Sequence, residues 1–523
     1  MTDQEVQQEV QQATYSRSDS YSRNARRGSR RRQNDRALNR EYQEKMVPTK
    51  RWLVLLLSAL ASLLSVANPL LSSLANNIQS QNLYAGLAMQ AGQNPYESFF
   101  GTSGVLYYLL TYVGSFFGTT IGLVLLQWVA LSIAGTYLYK IIAYFSHSQK
   151  TADNLLIWFY LFILALDFGG IYASLFAMPF LLTSIWFLIR YFENAVRDEA
   201  FILYGIDAAI VFMIYPKGAI LWLVSSLVLL VYNVRNRQLS RGFYQFLGIL
   251  FGFLLIIYSV GYYTFVAQIL GAAIQQTFFY NISLDFSYSG ILWTILIVFG
   301  FLIVTGFFKN FLQTIISLAD GRHGYIKATV LLTFILQLIF IIGNENFEIS
   351  QLTILFPYGF LLAVLHLRPL VQENFDDSDR VRVGELNYLK SSLYLPLIAC
   401  IMIPLQSLWI YWNQGDIYQE RLQISQYIQE NSETSDTIYA WDDSAQIYLK
   451  SGRLAAGTII TATPYLNTET NQSSITYDLN KNNAAFVVVN QAIPLLDDIK
   501  TNLEANYTQV ELDTENLLLY KKK

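Results

Sequence analysis

The feature that most limits this chain is a succession of long apolar runs, separated by short charged loops, that continues for some three hundred and fifty residues. A helix needs about 17–25 apolar residues to cross a hydrocarbon core of about 30 Å. Runs of that kind are read at 51–71, 120–143, 153–167, 171–191, 199–214, 217–233, 242–262, 288–307, 326–343, 351–366 and 390–411. Composition agrees: 53% of residues are apolar and 14% charged, against about 25% charged in ordinary soluble chains. The expected fold is therefore a polytopic α-helical membrane protein of about eleven spans.

Charge sets the expected orientation. About a dozen Arg and Lys residues precede Trp52, in a Gln-, Ser- and Arg-rich segment (1–50) too poor in apolar side chains to fold alone. That segment reads as a disordered cytoplasmic tail, held inside by the positive-inside rule. The stretch 104–118, "GVLYYLLTYVGSFFG", is short and full of Tyr and Gly. As a crossing it would turn the basic loops 235–241 and 368–382 outward. As an interfacial or re-entrant helix it leaves five basic loops inside together, so eleven spans are expected, with the C-terminus outside.

The histidine and cysteine census excludes redox chemistry of the common kinds. Cys400 is the only cysteine, and His147, His323 and His366 stand at ends of apolar runs. No disulfide, Cys cluster or paired-histidine haem site is expected. Nor does a net charge of -3 suggest nucleic acid as a partner.

Two regions break the pattern of spans. Past residue 413 the composition turns polar, and strands are read at 437–441, 484–490 and 517–523 with a helix near 493–505, as in a compact α/β domain of 413–523. Between the first two spans, inside the loop 73–118, lies "ANNIQSQNLYAGLAMQAGQNPYESFFGTSG" (75–104), which holds one acid, Glu97, and no basic residue. A helix over 76–92 is expected to lie flat at the interface, with Leu83 and Leu87 toward lipid and Asn77, Gln81 and Tyr84 on another face. Gly92 and Asn94-Pro95 should end it.

Three phrases carry a family likeness: Ala88, Gly92, Pro95 and Tyr96 in the loop; "MIYPKGAI" (213–220); and "IYAWDDSAQIYLKSGRLAAG" (438–457). With the plan of domains (51–412 in the membrane, 413–523 outside), the chain resembles the GT-C superfamily of membrane glycosyltransferases, which contains protein mannosyltransferases and aminoarabinose transferases. The resemblance implies a GT-C-like bundle with interfacial helices and a small extracytoplasmic α/β domain. It also implies transfer of a sugar from a polyprenyl-phosphate donor, on the outer face, to a glycan, a teichoic acid or a protein. The bilayer and the lipid-linked donor are then the expected partners.

One departure stands out. Family members carry an acid soon after span one, and the corresponding offset from Gly92 lands on Asn77, which cannot act as a base. Glu97 becomes the first candidate for the catalytic base, and Asp167, in "LALDFGG", the second. The other outward acids are Asp285, Glu345 and Glu348, while Asp207 inside a span should pair within the bundle. Lys217 is the outer cation before the C-terminal domain, read either as a snorkelling lysine or as the group that holds the lipid phosphate. Asn77, Gln81, Tyr84 and Tyr96 form the expected substrate loop, and Tyr280, Tyr358 and 286–290 are either sugar-stacking or interface aromatics. No cofactor is expected. Mg²⁺ or Mn²⁺ would need more oxygen ligands than one isolated carboxylate supplies, so metal-independent transfer is expected. The competing readings are a polymerase or flippase of lipid-linked polysaccharide, and a catalytically inactive GT-C-like scaffold.

Overall fold

The computed structural model describes residues 48–116, 118–367 and 385–523. Nearly all of the basic tail, and the expected loop 368–382, lie outside the described residues.

Five helices are long and apolar enough to cross a membrane: Ile121–Ser146, Ala173–Phe192, Pro216–Arg235, Leu239–Val266 and Gly324–Ile342. A sixth span results if Ile291–Val304 and Phe307–Asp320, bent by 76° at Thr305-Gly306, count as one. The other expected spans coincide with shorter or differently bounded helices: Arg51–Leu63, Gln149–Ala165, Phe201–Ile214, Ile349–Leu365 and the start of Leu397–Asn431. Leu239–Val266 shows what surrounds the bundle. It is apolar on every side, yet of its 28 residues only Gln245, Gly252 and Thr264 are buried in protein. An apolar surface of that size needs an apolar solvent, which is lipid. Its one tight partner is Phe201–Ile214, where Gly205 and Gly252 let the two backbones meet. A Cβ on Gly252 would lie 2.0 Å from the Ile202 carbonyl oxygen, so small residues set that crossing.

The C-terminal part is a five-stranded sheet in the order β2-β1-β3-β5-β4. Its strands are β1 (Thr437–Trp441), β2 (Leu454–Ala455), β3 (Ala484–Asn490), β4 (Tyr507–Val510) and β5 (Leu517–Lys522). β1 pairs in parallel with β2 and β3, while β5 runs antiparallel to β3 and β4. "AAFVVVN" is the central strand, buried on both faces, as an unbroken β-branched run should be. β2 and β4 were not expected from sequence, being short and without clear alternation. The long helix Leu397–Asn431 enters this domain and is fastened there. Glu420 accepts from the backbone N–H groups of Glu515, Asn516 and Leu517. Arg421 grips Asp442 at 2.7 and 2.9 Å and Asp443 at 2.6 Å.

The loop after the first helix corrects one expectation. Its helix, Asn77–Gln90, does not lie on lipid: ten of its fourteen residues are buried, Leu83 among them. The C-terminal domain covers it. Ser80 Oγ accepts from the Ala445 N–H, Tyr84 Oη from the Ala455 N–H, and Gln81 donates to Thr461 Oγ1. A polar helix of low amphipathicity suits this place, because it faces protein on both sides. Gly92, with φ +85°, closes it as the sequence implies. The second element, Val105–Gly114, has ten residues. At 1.5 Å per residue it spans about 15 Å, half of a hydrocarbon core.

Candidate active site

The site begins at the N-terminus of Asn77–Gln90. Asn76 and Gln79 form a reciprocal cap: Asn76 Oδ1 accepts from the Gln79 N–H at 2.9 Å, and Gln79 Oε1 accepts from the Asn76 N–H at 3.0 Å. With amides in place of the usual hydroxyl and carboxylate, the cap keeps two NH2 groups to give elsewhere. Both go to the segment that carries Asp167. Asn76 Nδ2 donates to Asp167 Oδ2 (3.0 Å) and to the Tyr172 hydroxyl (2.8 Å). Gln79 Nε2 reaches the carbonyls of Asp167, Gly169 and Gly170 at 3.0–3.3 Å.

That segment needs such support. Asp167, Phe168, Gly169, Gly170 and Ile171 all have positive φ, from +49° to +93°. For a β-branched residue such as Ile171 this is an outlier, and each non-glycine residue so placed costs about 1–3 kcal/mol. Asn82 and Tyr107 hold the Ile171 carbonyl at 2.8 and 2.6 Å, and Gln406 accepts from the Phe168 N–H. The turn after Gln149–Ala165 is thus fixed by these side chains from three other segments, and the residue it presents is a carboxylate. Burial lifts the Asp167 carboxyl above its ordinary range, and the bonds from Asn76 and Tyr172 partly offset the rise.

Asp167 and Asn76 line one of two adjoining cavities, and Tyr172, which both touch, lines the other. On one side is an apolar cavity of about 1030 Å³, lined by Phe162, Phe301, Leu352, Met402, Leu405 and Trp409 and capped at its polar end by Arg421 and Asp443. On the other is a small polar chamber that contains Lys217, Glu348, Tyr172 and Gln81. Consecutive residues divide between the two: Ile349 faces the apolar cavity while Glu348 and Ser350 face the chamber, and Thr463 and Pro464 divide likewise. Burial, and then the charge of Asp167, push the Glu348 carboxyl up to about 8. The Tyr172 hydroxyl is raised by burial, then by Asp167 and Glu348, as expected of a group between two acids. Lys217, in the Pro216–Ala219 turn, makes no ion pair among the described residues, and its carbonyl accepts from Gln337.

The other sequence candidates fall as follows. Glu97 is exposed, in a turn closed by Ser98 N–H on the Asn94 carbonyl, and lines neither cavity. Asn77 borders the apolar cavity and donates to the Thr463 carbonyl at 2.7 Å. Gln81 borders the chamber. Tyr84 and Tyr96 are buried supports: Tyr84 packs on Tyr448 with ring centroids 5.1 Å apart, and Tyr96 donates to the Ser103 carbonyl. Asp207 accepts from Thr183 and Ser184 inside the bundle. Tyr280 lines the chamber, whereas Tyr358 is wholly buried among helices. Among the described residues no group of three or more His, Cys, Asp or Glu is gathered as metal ligands.

Residues 39–414 match the model of the competence-induced protein Ccs4 N-terminal domain, and 418–523 match that of the Ccs4 C-terminal domain. The chain belongs to the competence-induced Ccs4 family. No curated protein matches it. Among solved structures it is similar to ArnT from Cupriavidus metallidurans in the apo state, with a TM-score of 0.51, 10% identity, and coverage of 85% of this chain and 93% of that one. The same enzyme bound to undecaprenyl phosphate gives 0.50, 9%, 90% and 98%. An Archaeoglobus fulgidus oligosaccharyltransferase in complex with Zn and sulfate gives 0.45, 13%, 90% and 73%. The two ArnT structures share their fold with this Ccs4-family chain, which is the fold the sequence resemblance implied.

Sequence reasoning passed over Asn76 and Gln79, whose only signal was an Asn-x-x-Gln cap ahead of a helix. It named Glu348 among the outward acids without giving it a role.

Proposed function

We propose that this Ccs4-family protein transfers a glycosyl group from a polyprenyl-phosphate-linked donor to a cell-surface acceptor, a glycan, teichoic acid or protein, on the outer face of the membrane. With this goes the full topology expected from charge: eleven crossings, N-terminus inside, C-terminal domain outside. The observation that carries the reading is the position of Asp167, a half-buried carboxylate on a lipid-sized apolar cavity, hydrogen-bonded to Asn76 and Tyr172, the latter lining a polar chamber whose Lys217 has no ion pair among the described residues. ArnT, whose fold is similar, has been solved with undecaprenyl phosphate.

In this mechanism the first isoprene units occupy the apolar cavity and the phosphate rests on Lys217. The acceptor hydroxyl attacks the anomeric carbon as the bond from that carbon to the phosphate oxygen breaks. Asp167 takes the hydroxyl proton, its basicity raised by burial. Lys217 balances the charge that develops on the departing phosphate. Glu97, exposed and apart from both cavities, has no part in it. Asn76 and Gln79 keep Asp167 aimed.

The test is transfer from radiolabelled polyprenyl-phosphate sugars by the protein in liposomes. Asp167→Asn and Lys217→Ala should abolish it and Glu97→Gln should leave it intact. Full transfer by Asp167→Asn would refute the assignment.

A further inference from the structure

The chamber beside Lys217 is lined by side-chain amides whose nitrogens are already engaged. Gln81 Nε2 donates to Asn77 and Thr461 at 2.7 and 2.8 Å, and Asn281 Nδ2 to the Thr102 and Thr277 carbonyls at 2.7 and 2.8 Å. Asn82 donates to the Ile171 carbonyl, Asn346 to the Tyr280 hydroxyl, Asn344 to Gln351, and Gln351 to the Asn346 carbonyl. The oxygens of Gln81, Asn82, Asn281 and Asn346 accept nothing within the described protein, and none is sealed from the chamber. Hydroxyls are committed too: Ser174 pairs with Thr353, and Tyr172 turns to Asp167. The wall therefore presents acceptors, and a phosphate needs donors. Lys217 supplies one and the Tyr215 hydroxyl can supply another. Tyrosine hydroxyls of the wall (Tyr108, Tyr280, Tyr465) are further donors, and Glu348 is the carboxyl among the lining residues, a donor when it carries its proton.

We propose that Glu348 contacts the lipid-linked phosphate beside Lys217 and, as a carboxylic acid, donates a hydrogen bond to it, so that the chamber accepts phosphate with Glu348 neutral and rejects it with Glu348 ionised. This rests on the reading that the chamber holds a phosphate. The groups around Glu348 favour the neutral form. The charge of Asp167, across Tyr172, raises it, and Glu345 lies on the same loop; Tyr465 and Tyr280 line the chamber from the C-terminal domain and the segment before 291. Ser350, at 3.4 Å, is the one hydrogen-bond neighbour of its carboxyl among the described residues. Lys217, in the same chamber, does not close an ion pair with it. The pair is thus arranged as two donors around a shared anion. Burial supports the protonation state, with the carboxyl raised to about 8.

The experiment measures binding of undecaprenyl phosphate to the full chain in nanodiscs from pH 6 to 9.5, with inorganic phosphate as a competing probe. The parent should bind tightly up to about pH 8 and then lose about tenfold per pH unit, as an acid-form-only site must. Competition by millimolar inorganic phosphate would mark a site read through the anion alone, and its absence a site that also needs the lipid; the proposal predicts the second. Glu348→Gln, which keeps a donor and cannot ionise, should match the parent at pH 6 and make the loss above pH 8 about tenfold shallower per pH unit than in the parent, any loss that both proteins share belonging to Lys217. This comparison separates Glu348 from Lys217 and from the second ionisation of the phosphate near pH 6, which both proteins share. A loss above pH 8 that is as steep in Glu348→Gln as in the parent overturns the inference and leaves the phosphate site standing. No binding by the parent at any pH overturns the site and the proposed function with it.

Discussion

Glu97 and Asp167 are both acids in turns between helices, and the chain treats them in opposite ways. Glu97 sits in a turn held by Ser98 N–H on the Asn94 carbonyl and by Gln276 on the Tyr96 carbonyl, but its own side chain is exposed and meets no partner among the described residues. Asp167 opens five residues of left-handed backbone that segments distant in sequence must hold in place. Strain of that kind persists only where the surroundings over-determine it, and it gathers where a group has to be aimed. The contrast favours Asp167 as the acid that does chemistry, although the loop containing Glu97 carries the family phrase.

The sharpest way to break this comparison is to neutralise each acid in turn. Asp167→Asn should cut glycosyl transfer by about a hundredfold or more, the range of a lost general base, with no change in the folded fraction. Glu97→Gln should stay within about twofold. A large loss in Glu97→Gln alone would invert the assignment and return the chemistry to the exposed turn.

Next in size is the support beneath Asp167. Gln79→Glu keeps the acceptor that caps the Asn77–Gln90 helix, removes the donor to three carbonyls, and sets a second negative charge beside Asp167. Each buried carbonyl left without a donor costs about 1–3 kcal/mol, so thermal unfolding in detergent should show a loss of about 2–3 kcal/mol. Gln79→Ala should lose a similar amount by a different route, since the cap goes as well, at about 1 kcal/mol. If either variant unfolds like the parent, the left-handed segment does not depend on this clamp.

How much of this could be read beforehand follows from where the information lies. Runs such as 120–143 and 242–262 are visible because apolar length is a local property, and "AAFVVVN" because a buried central strand is a local run. The number of spans is less legible: helices such as Phe201–Ile214 are short, and packing rather than length keeps them in the bundle. In the site, "LALDFGG" signalled a turn through its glycines, and Lys217 was found by elimination. The amides were misjudged by one residue. Asn77 was measured against a family offset, whereas Asn76 takes the cap position, and a cap residue turns its side chain back over the helix end. That direction is what brings it to Asp167. Glu348 could not be ranked, since its partner Asp167 is distant in sequence and meets it only through tertiary packing.

A third comparison is the response of stability to pH. Glu348 is raised from 4.5 to about 8 and Asp167 is raised as well, in both cases first by burial. For an acid whose folded pKa lies above its unfolded value, the folded state binds the proton more tightly. Stability is then greatest below the unfolded pKa and falls as pH rises toward the folded one. The detergent-solubilised protein should therefore melt at a lower temperature at pH 8 than at pH 5. Glu348→Gln should flatten that slope, and Glu97→Gln should leave it as it was. Equal slopes in all three proteins would mean that Glu348 ionises as freely as a surface acid.

The smallest effect belongs to the residue that sequence placed where the family acid should be. Asn77 spans the edge of the apolar cavity, with Nδ2 on the Thr463 carbonyl and Oδ1 accepting from Gln81. Both partners keep other bonds: the Thr463 carbonyl also accepts from Thr461, and Gln81 also donates to Thr461. Removing the side chain therefore strands no buried group, and Asn77→Ala should cost about 0.5–1 kcal/mol, the net value of an ordinary hydrogen bond. Asn77→Asp, which restores the family's acid at its expected offset, places a carboxylate against the Thr463 carbonyl instead of against Asp167. It should neither raise transfer nor rescue Asp167→Asn. A double variant that regained activity would show that position 77 can reach the reacting centre, and that the amide there, rather than the geometry of the helix cap, had withheld a second base.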